Sequence, residues 1–179
     1  MTETPRIYLA GPDIFFFEVE KNLENMRRIC ADHGLVGITP LDGKPLSSEL
    51  TKAEQAKVIY ERNIALIDSA AALIANISPF RGVAMDPGTA FEVGYAAARG
   101  IPVITWTEDD RDYLIRVSGA YGGHLRKGED ERWRDPSGIE VEDFGLPENL
   151  MITVPAITNG QKIAHSFEEA VRQAADIIA

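Results

Sequence analysis

Short apolar runs alternate with amphipathic segments along most of the chain, and this alternation restricts the possible folds more than any other feature of the sequence. Four apolar runs have the length of buried strands. They cover residues 7–10, 35–38, 72–77 and 101–106. The segments between them carry apolar side chains at helical spacing. These segments cover residues 16–33, 51–67 and 89–99. The βαβαβαβ order predicts an α/β fold with a single doubly wound, mainly parallel sheet of the flavodoxin or Rossmann type and helices on both faces.

Two remaining stretches complete this arrangement. Residues 107–145 are polar and rich in glycine, which indicates a long excursion after the fourth strand rather than a second domain. Ser166-Phe-Glu-Glu169 matches a capping box and opens a final amphipathic helix. A chain of 179 residues has the length of one ordinary domain, so we expect residues 1–179 to form one domain.

Charge and cysteine content exclude several classes of partner and site. The 28 acidic and 18 basic side chains leave a formal net charge of −10, so we expect neither nucleic acid nor anionic membranes as partners. Cys30 is the only cysteine, which excludes an intramolecular disulfide, and the three histidines lack the spacing of metal ligands. The first residues show no signal peptide and no apolar run that could span a bilayer, so we expect a cytoplasmic protein.

The segment Asp86-Pro-Gly-Thr-Ala-Phe-Glu92 brings two carboxylates to the start of the third helix. The partial positive charge of a helix N-terminus keeps a nearby carboxylate ionised, as a nucleophile must be, and a neighbouring aspartate that keeps its proton can act as an acid. On spacing alone, however, a structural role is favoured. Thr89 and Glu92 match a capping box, and Asp86 before Pro87 matches an N-cap with proline at the first helical position.

Four motifs follow one another along the chain. They are Ile7-Tyr-Leu-Ala-Gly-Pro12, Ala75-Asn-Ile-x-Pro-Phe-Arg-Gly82, Asp86-Pro-Gly-Thr-x-Phe-Glu-Val-Gly-Tyr-Ala96 and Pro147-Glu-Asn-Leu-Met151. The third motif is the most specific of them, and the first alone would be weak. In order and spacing the motifs resemble those of the nucleoside 2-deoxyribosyltransferase family, and the resemblance covers residues 7–152.

The resemblance implies roles for five residues. Glu92, which precedes Gly-Tyr-Ala, corresponds to the nucleophile of the family, and Asp86 corresponds to the aspartate that holds and protonates the base. Tyr8 corresponds to the tyrosine that orients the nucleophile. Asn149, with Met151 beside it, corresponds to a segment that reaches into a neighbouring subunit and binds the sugar.

Further residues near these motifs are candidate substrate contacts. They are Gly11, Asp13, Phe15, Asn63, Arg81 and Gly88. The phenylalanines at 15–17 are able to stack on a base, but we expect at least one of them to pack beneath the first helix. Arg81 either contacts a substrate hydroxyl or fixes its own loop. Without the resemblance, Tyr8 in a strand would be interpreted as a core residue with a satisfied hydroxyl.

Asn63 is a departure from the family pattern. Many members carry a further aspartate on the second helix, where this chain has Asn63 within Glu61-Arg-Asn-Ile64. An amide can hydrogen-bond a base or a sugar hydroxyl but cannot donate a catalytic proton at neutral pH. We therefore expect more of the acid catalysis to fall on Asp86 and the base selectivity to differ from that of members with the aspartate.

The activity that the resemblance implies is transfer of a 2-deoxyribosyl group between nucleobases through a covalent glycosyl-enzyme intermediate, with retention of configuration. The substrates are 2'-deoxyribonucleosides and free nucleobases, and the loop at 79–82 resembles that of purine-type members. No metal or organic cofactor is required. Shared active sites imply a homo-oligomer with closed symmetry.

Two other functions are compatible with the same fold. One is hydrolysis of the N-glycosidic bond of a 2'-deoxynucleoside 5'-phosphate, but the first loop offers Asp13 and aromatic side chains instead of donors for a phosphate. The other is a nucleoside-binding module without catalysis, which the fold alone does not exclude. The joint presence of Tyr8, Asp86, Glu92 and Asn149 favours an enzyme, because a binding module does not need the whole set.

Overall fold

The computed structural model describes residues 3–43, 45–158 and 160–178. Its main sheet has four parallel strands in the spatial order β2-β1-β3-β4. The strands are β1 (Arg6–Ala10), β2 (Val36–Ile38), β3 (Ala72–Asn76) and β4 (Val103–Trp106). The helices are α1 (Val19–Asp32), α2 (Lys52–Asp68), α3 (Pro87–Ala98), α4 (Tyr113–Ala120), α5 (Leu150–Ile157) and α6 (Phe167–Ile178). The predicted α/β fold with a mainly parallel sheet is confirmed.

Helices cover both faces of this sheet, and each face has its own apolar core. Strand β1 shows why, because its side chains alternate between the two faces. Ile7 and Leu9 pack with α1 and α6, whereas Tyr8 and Ala10 pack with α2, α3 and α5. All residues of β3 are buried, as expected of a central parallel strand covered on both sides.

Local signals in the sequence set the ends of several helices. At Thr51 the hydroxyl accepts a hydrogen bond from Glu54 N, and the Glu54 carboxylate accepts one from Thr51 N. This reciprocal capping box starts α2 one residue later. Helix α1 ends before Gly34, whose φ of 73° is favourable for glycine.

The three phenylalanines before α1 do not behave as expected. A 3-10 turn, Pro12–Phe15, lies between β1 and α1 and is followed by two further residues with exposed rings. Phe15, Phe16 and Phe17 are exposed by 58%, 49% and 96%, so the expectation that one of them packs beneath α1 is wrong. The tight turn directs Ile14 toward the core instead, and Val19 packs there from the first residue of α1.

The excursion at 107–145 contains ordered structure that the sequence pattern does not predict. Helix α4 lies in its first half, and a small antiparallel sheet lies in its second half. The strands of this sheet are β5 (Arg126–Lys127), β6 (Trp133–Arg134) and β7 (Glu140–Val141). Within the described ranges, no helix is both long and apolar enough to cross a membrane.

Candidate active site

A cleft of about 620 Å³ opens beyond the C-terminal ends of β1 and β2, the edge where parallel α/β sheets bind their ligands. Its polar wall comes from the first turns of α3 and from α2. That wall contains Asn63, Asp86, Thr89 and Glu92. The remaining walls are largely apolar and come from the loops after β1 and β2 and from α2. They include Ile14, Phe15, Leu41, Leu46 and Ile59.

Glu92 makes two hydrogen bonds at this polar wall. The Tyr8 hydroxyl donates to Glu92 Oε1 at 2.6 Å, and Asn63 Nδ2 donates to the same oxygen at 3.5 Å. Tyr8 lies in β1 and is fully buried, so its ring is a core residue while its hydroxyl contacts Glu92, which lines the cleft. In the described part of the chain, no hydrogen bond reaches Glu92 Oε2, which leaves that oxygen available to a ligand.

The surroundings of Glu92 raise its pKa from 4.5 to about 7. Burial of the carboxyl group is the main cause, because it disfavours the charged form. The hydrogen bonds from Tyr8 and Asn63 lower the pKa, and the negative charge of Asp86 raises it further. Burial and the adjacent Glu92 also raise the pKa of Tyr8, so its hydroxyl keeps its proton and remains a donor.

Asp86 caps α3 and lines the cleft at the same time. Its Oδ2 accepts hydrogen bonds from Thr89 N at 2.8 Å and from the Thr89 hydroxyl at 3.0 Å, and Pro87 occupies the first helical position. The capping box between Thr89 and Glu92 is not formed, because the helix begins at Pro87 and Glu92 therefore lies beyond the first turn. A side chain at Gly88 would place its Cβ 3.0 Å from Asp86 Oδ2, so glycine leaves this carboxylate room.

Gly11 and Asp13 mark the end of β1. Gly11 lines the cleft, and a Cβ there would lie 2.5 Å from Asp13 Oδ2 and 2.9 Å from Asn76 Cβ, so any side chain would displace its neighbours. Asp13 is buried and accepts hydrogen bonds from Asn76 Nδ2 at 3.0 Å and Asn22 Nδ2 at 3.4 Å. Asp13 faces an adjacent cleft rather than the one that holds Glu92.

Phe15 and Arg81 flank a common ring at the mouth of the cleft. Phe15 lines the cleft and stacks on Phe80, with ring centroids 5.7 Å apart. The Arg81 guanidinium lies 4.8 Å from the centre of the Phe80 ring, and Arg81 has a φ of 55°, an uncommon value for a residue other than glycine. Arg81 supports Phe80 and is not among the residues that line the cleft.

Asn149 and Met151 lie outside the cleft of their own chain. Asn149 caps α5: its Oδ1 accepts a hydrogen bond from Met151 N at 2.9 Å, and its Nδ2 donates to Glu142 at 2.8 Å. The Met151 side chain is 69% exposed. The loop after β2, which supplies Leu41 and Leu46 to the cleft, was not predicted as part of the site, although its position after a strand was a usable signal.

No group of three or more His, Cys, Asp or Glu side chains that could hold a metal ion occurs within residues 3–43, 45–158 and 160–178. The cleft thus presents a carboxylate pair, an amide and the Arg62 side chain beside largely apolar walls, and the Tyr8 hydroxyl bonds to one of the carboxylates. Such a set can bind a flat apolar ring with a polar edge and present one carboxylate oxygen to it.

A family profile and a solved structure name the same family in the comparisons with known proteins. The sequence profile described as Nucleoside 2-deoxyribosyltransferase matches residues 7–151. An uncharacterized protein of Schizosaccharomyces pombe is 33% identical over 184 aligned positions, which cover 96% of this chain and 87% of that protein. A solved structure of a 2-desoxiribosyltransferase from Leishmania mexicana is 32% identical, with 96% of this chain and 97% of that chain covered and a TM-score of 0.71. A conserved protein from Enterococcus faecalis V583 has the same fold at 19% identity, with a TM-score of 0.61 and coverage of 98% and 99%. This chain therefore belongs to the nucleoside 2-deoxyribosyltransferase family.

Proposed function

We propose that this protein transfers a 2-deoxyribosyl group from one nucleobase to another, with Glu92 as the nucleophile. The observation that carries the proposal is the arrangement at Glu92. One oxygen of a partly buried carboxylate is held by Tyr8 and Asn63, while the other is available in a cleft that Asp86 also lines. Family membership supports deoxyribosyl transfer as the general activity.

The reaction takes place in two displacements at the anomeric carbon. Glu92 Oε2 attacks this carbon, the bond to the first base breaks, and the base leaves with the bonding electrons and takes a proton from Asp86. The resulting deoxyribosyl ester of Glu92 is then attacked by a nitrogen of the second base from the face that the first base left, and the N–H proton of this base passes to Asp86. The ester bond breaks, Glu92 recovers its carboxylate, and the configuration is retained.

Asp86 is the group that assists the leaving base. It lies in the same cleft as Glu92, and its carboxylate is fixed by the backbone of its own helix through Thr89 N. Asn63 cannot donate a catalytic proton, because an amide does not ionise at neutral pH. Asn63 instead keeps Glu92 oriented through the hydrogen bond from its Nδ2.

Purines are the bases that we propose for this cleft. Phe15 offers a ring at the mouth, and Leu41 and Ile59 offer apolar walls to a two-ring base. Asp13 does not line this cleft. It could affect substrate binding only indirectly, through the position of Gly11, or by contacting a ligand in the adjacent cleft. The resemblance of the loop at 79–82 to purine-type members points in the same direction.

The position of Asn149 supports completion of the site by a second subunit. Asn149 does not line the cleft of its own chain, and exposed apolar side chains surround the start of α5. These side chains are Phe144, Met151 and Val154. We therefore propose a closed homo-oligomer in which this segment covers the cleft of a neighbour, because exclusion of water favours transfer to a base over hydrolysis.

The test is to incubate the protein with deoxyinosine and free adenine and to separate the products. Deoxyadenosine is the expected product. Hypoxanthine without deoxyadenosine would indicate a hydrolase, and unchanged substrates would contradict the proposal for this pair of bases. Glu92→Ala should abolish the reaction, whereas Glu61→Ala, which removes an exposed glutamate paired with Lys57, is the matched control and should retain it.

A further inference from the structure

Arg116 and Glu148 form an ion pair that is buried outside the cleft. Arg116 Nη2 lies 3.6 Å from Glu148 Oε2, and each side chain is only 3% exposed. Removing two charges from water is costly, and apolar residues of the same volume often stabilise a fold at least as well. The pair therefore calls for an explanation other than stability.

The hydrogen bonds of Glu148 provide that explanation. Its Oε2 accepts from Met85 N at 2.8 Å, and its Oε1 accepts from Asn149 N at 2.9 Å. Met85 directly precedes Asp86, and it lies 63 positions from Glu148 in the chain. A single carboxylate thus joins the residue before the α3 cap to the residue that caps α5.

Arg116 extends this connection into the excursion. From α4, its guanidinium donates to the carbonyl oxygen of Pro147 and, at 3.3 Å, to that of Asp109. Two acceptor oxygens are needed where two backbone N–H groups converge, and only an ionised carboxylate offers both without a donor of its own. A glutamine at this position would turn its NH₂ group toward one of the two N–H groups.

We infer that Glu148 is a positioning residue that sets Asp86 and Asn149 relative to each other, with Arg116 as its buried counter-charge. The inference rests on the proposed function. It gives the Arg116–Glu148 pair the role of positioning Asp86, which assists the leaving base, and the segment at Asn149, which covers the sugar bound by a neighbouring subunit. Neither Arg116 nor Glu148 lines the cleft itself.

The first test is amide hydrogen exchange, which does not depend on activity. In Glu148→Gln, the amides of Met85 and Asn149 should exchange faster, while those of β1 and β3 should be unchanged. The matched control is Glu140→Gln, which removes an exposed glutamate paired with Arg132 in the same excursion. Unchanged exchange at both amides, or faster exchange throughout the chain, would overturn the inference.

The second test compares two deoxyribosyl donors, one with a purine leaving group and one whose leaving group needs no proton. Misplacement of Asp86 should lower kcat for the purine donor by about 10- to 100-fold and lower it less for the other donor. A merely structural role would lower both rates by the fraction of protein that is unfolded. If Glu148→Gln does not fold, the Arg116→Met/Glu148→Gln variant, which buries no unpaired charge, is measured in both tests with the same expectations.

Different results would contradict the proposed function and the positioning role of Glu148. A wild-type protein that transfers no deoxyribose would contradict the proposed function, and the exchange experiment would still decide whether Glu148 ties the two segments together. Equal loss of rate with both donors in a folded variant, with transfer intact in the wild type, would contradict the positioning role alone.

Discussion

As the proposed nucleophile, Glu92 must be ionised to attack a sugar, yet its surroundings favour the protonated form. Burial and the charge of Asp86 raise its pKa, and the hydrogen bonds from Tyr8 and Asn63 lower it, with a result of about 7. Near neutral pH about half of the molecules would then carry the reactive carboxylate. The neighbours of Glu92 thus affect the rate through its charge as well as through its orientation.

The pH dependence of transfer tests this balance. We expect the rising limb of kcat/KM against pH to have a midpoint near 7, because Glu92 attacks in its deprotonated form. Tyr8→Phe removes the hydrogen bond from Tyr8 that lowers the pKa of Glu92, so the midpoint should move to higher pH. Asn63→Asp should move it in the same direction, because a second negative charge replaces a donor.

Tyr95→Phe is the matched control for this experiment. Tyr95 is a tyrosine of α3 whose hydroxyl bonds to Asp68 away from the cleft. Its replacement should leave the midpoint in place. If Tyr8→Phe and Asn63→Asp also leave the midpoint in place, Glu92 is not the group that titrates.

The same pKa predicts a cost in stability. The pKa of Glu92 is about 7 in the folded chain, compared with 4.5 in the unfolded chain. Between pH 4.5 and pH 7 the folded chain therefore binds more protons than the unfolded chain. The free energy of unfolding therefore falls as pH rises through this window, by an amount on the order of 3 kcal/mol. Glu92→Gln cannot ionise and should be more stable than the wild type above pH 7, with little difference below pH 4.5. Urea unfolding at both ends of the window measures this, and a gain that is the same at both ends would contradict it.

At the scale of elements, the start of α3 combines two roles in one residue. Asp86 accepts a hydrogen bond from one of the free N–H groups at the helix start, that of Thr89, and also faces the cleft. The sequence pattern could not decide between Asp86 and Thr89 as the cap, because both match known capping motifs. The loop that leads into α3 makes Asp86 the cap, and Glu148 holds this loop by accepting a hydrogen bond from Met85 N.

Asp86→Asn separates the two roles. Asparagine is as good an N-cap as aspartate, so the free energy of unfolding should change by less than about 1 kcal/mol. Transfer from a purine donor should fall strongly, whereas transfer from a donor whose leaving group needs no proton should fall much less. Parallel chemical denaturation and rate measurements check both parts. Equal losses with both donors would assign Asp86 a structural role only.

The elements that the sequence predicts are those with a clear period or cap. The four central strands and helices α1, α2, α3 and α6 follow from alternation, from the capping box at Thr51 and from glycine stops. Helix α5 is apolar on all sides and contains Pro155, so no helical period marks it. Strands β5, β6 and β7 have two residues each, too few for a period of two to be detected.

The sequence likewise predicts only part of the candidate site. Both carboxylates follow from the pattern at the α3 start, but the contact of Tyr8 with Glu92 joins residues 84 positions apart and follows only from the resemblance. The connection through Glu148 could not be predicted, because its partners are backbone N–H groups and carry no signal in the sequence.

At the scale of the whole molecule, the position of Asn149 requires an assembly if this residue is to contact the sugar. Its side chain is used within its own chain by Met151 N and Glu142, beside a patch of exposed apolar side chains rather than beside Glu92. A neighbouring copy can bring this segment to the sugar without any change in the fold. Association of copies would also cover the exposed apolar side chains around the start of α5.

Mixed sites test the assembly. Glu92→Ala and Asn149→Ser should each be inactive, and serine is chosen to replace Asn149 because it is itself a good N-cap and keeps the start of α5 stable. When the two variants exchange subunits, some sites should combine an intact Glu92 with an intact Asn149, and transfer should reappear. Continued inactivity after exchange has been demonstrated by mass spectrometry of mixed oligomers would mean that each subunit builds its site alone.

The most direct measurement of the central claim is detection of the deoxyribosyl-enzyme. The protein is incubated with deoxyinosine without an acceptor base, quenched rapidly and digested, and its peptides are analysed by mass spectrometry. We expect one deoxyribosyl adduct, on Glu92, which disappears when adenine is added before the quench and is absent in Glu92→Gln. Transfer with retention while Glu92 stays unmodified, or an adduct on another residue, would contradict the role of Glu92 as the nucleophile.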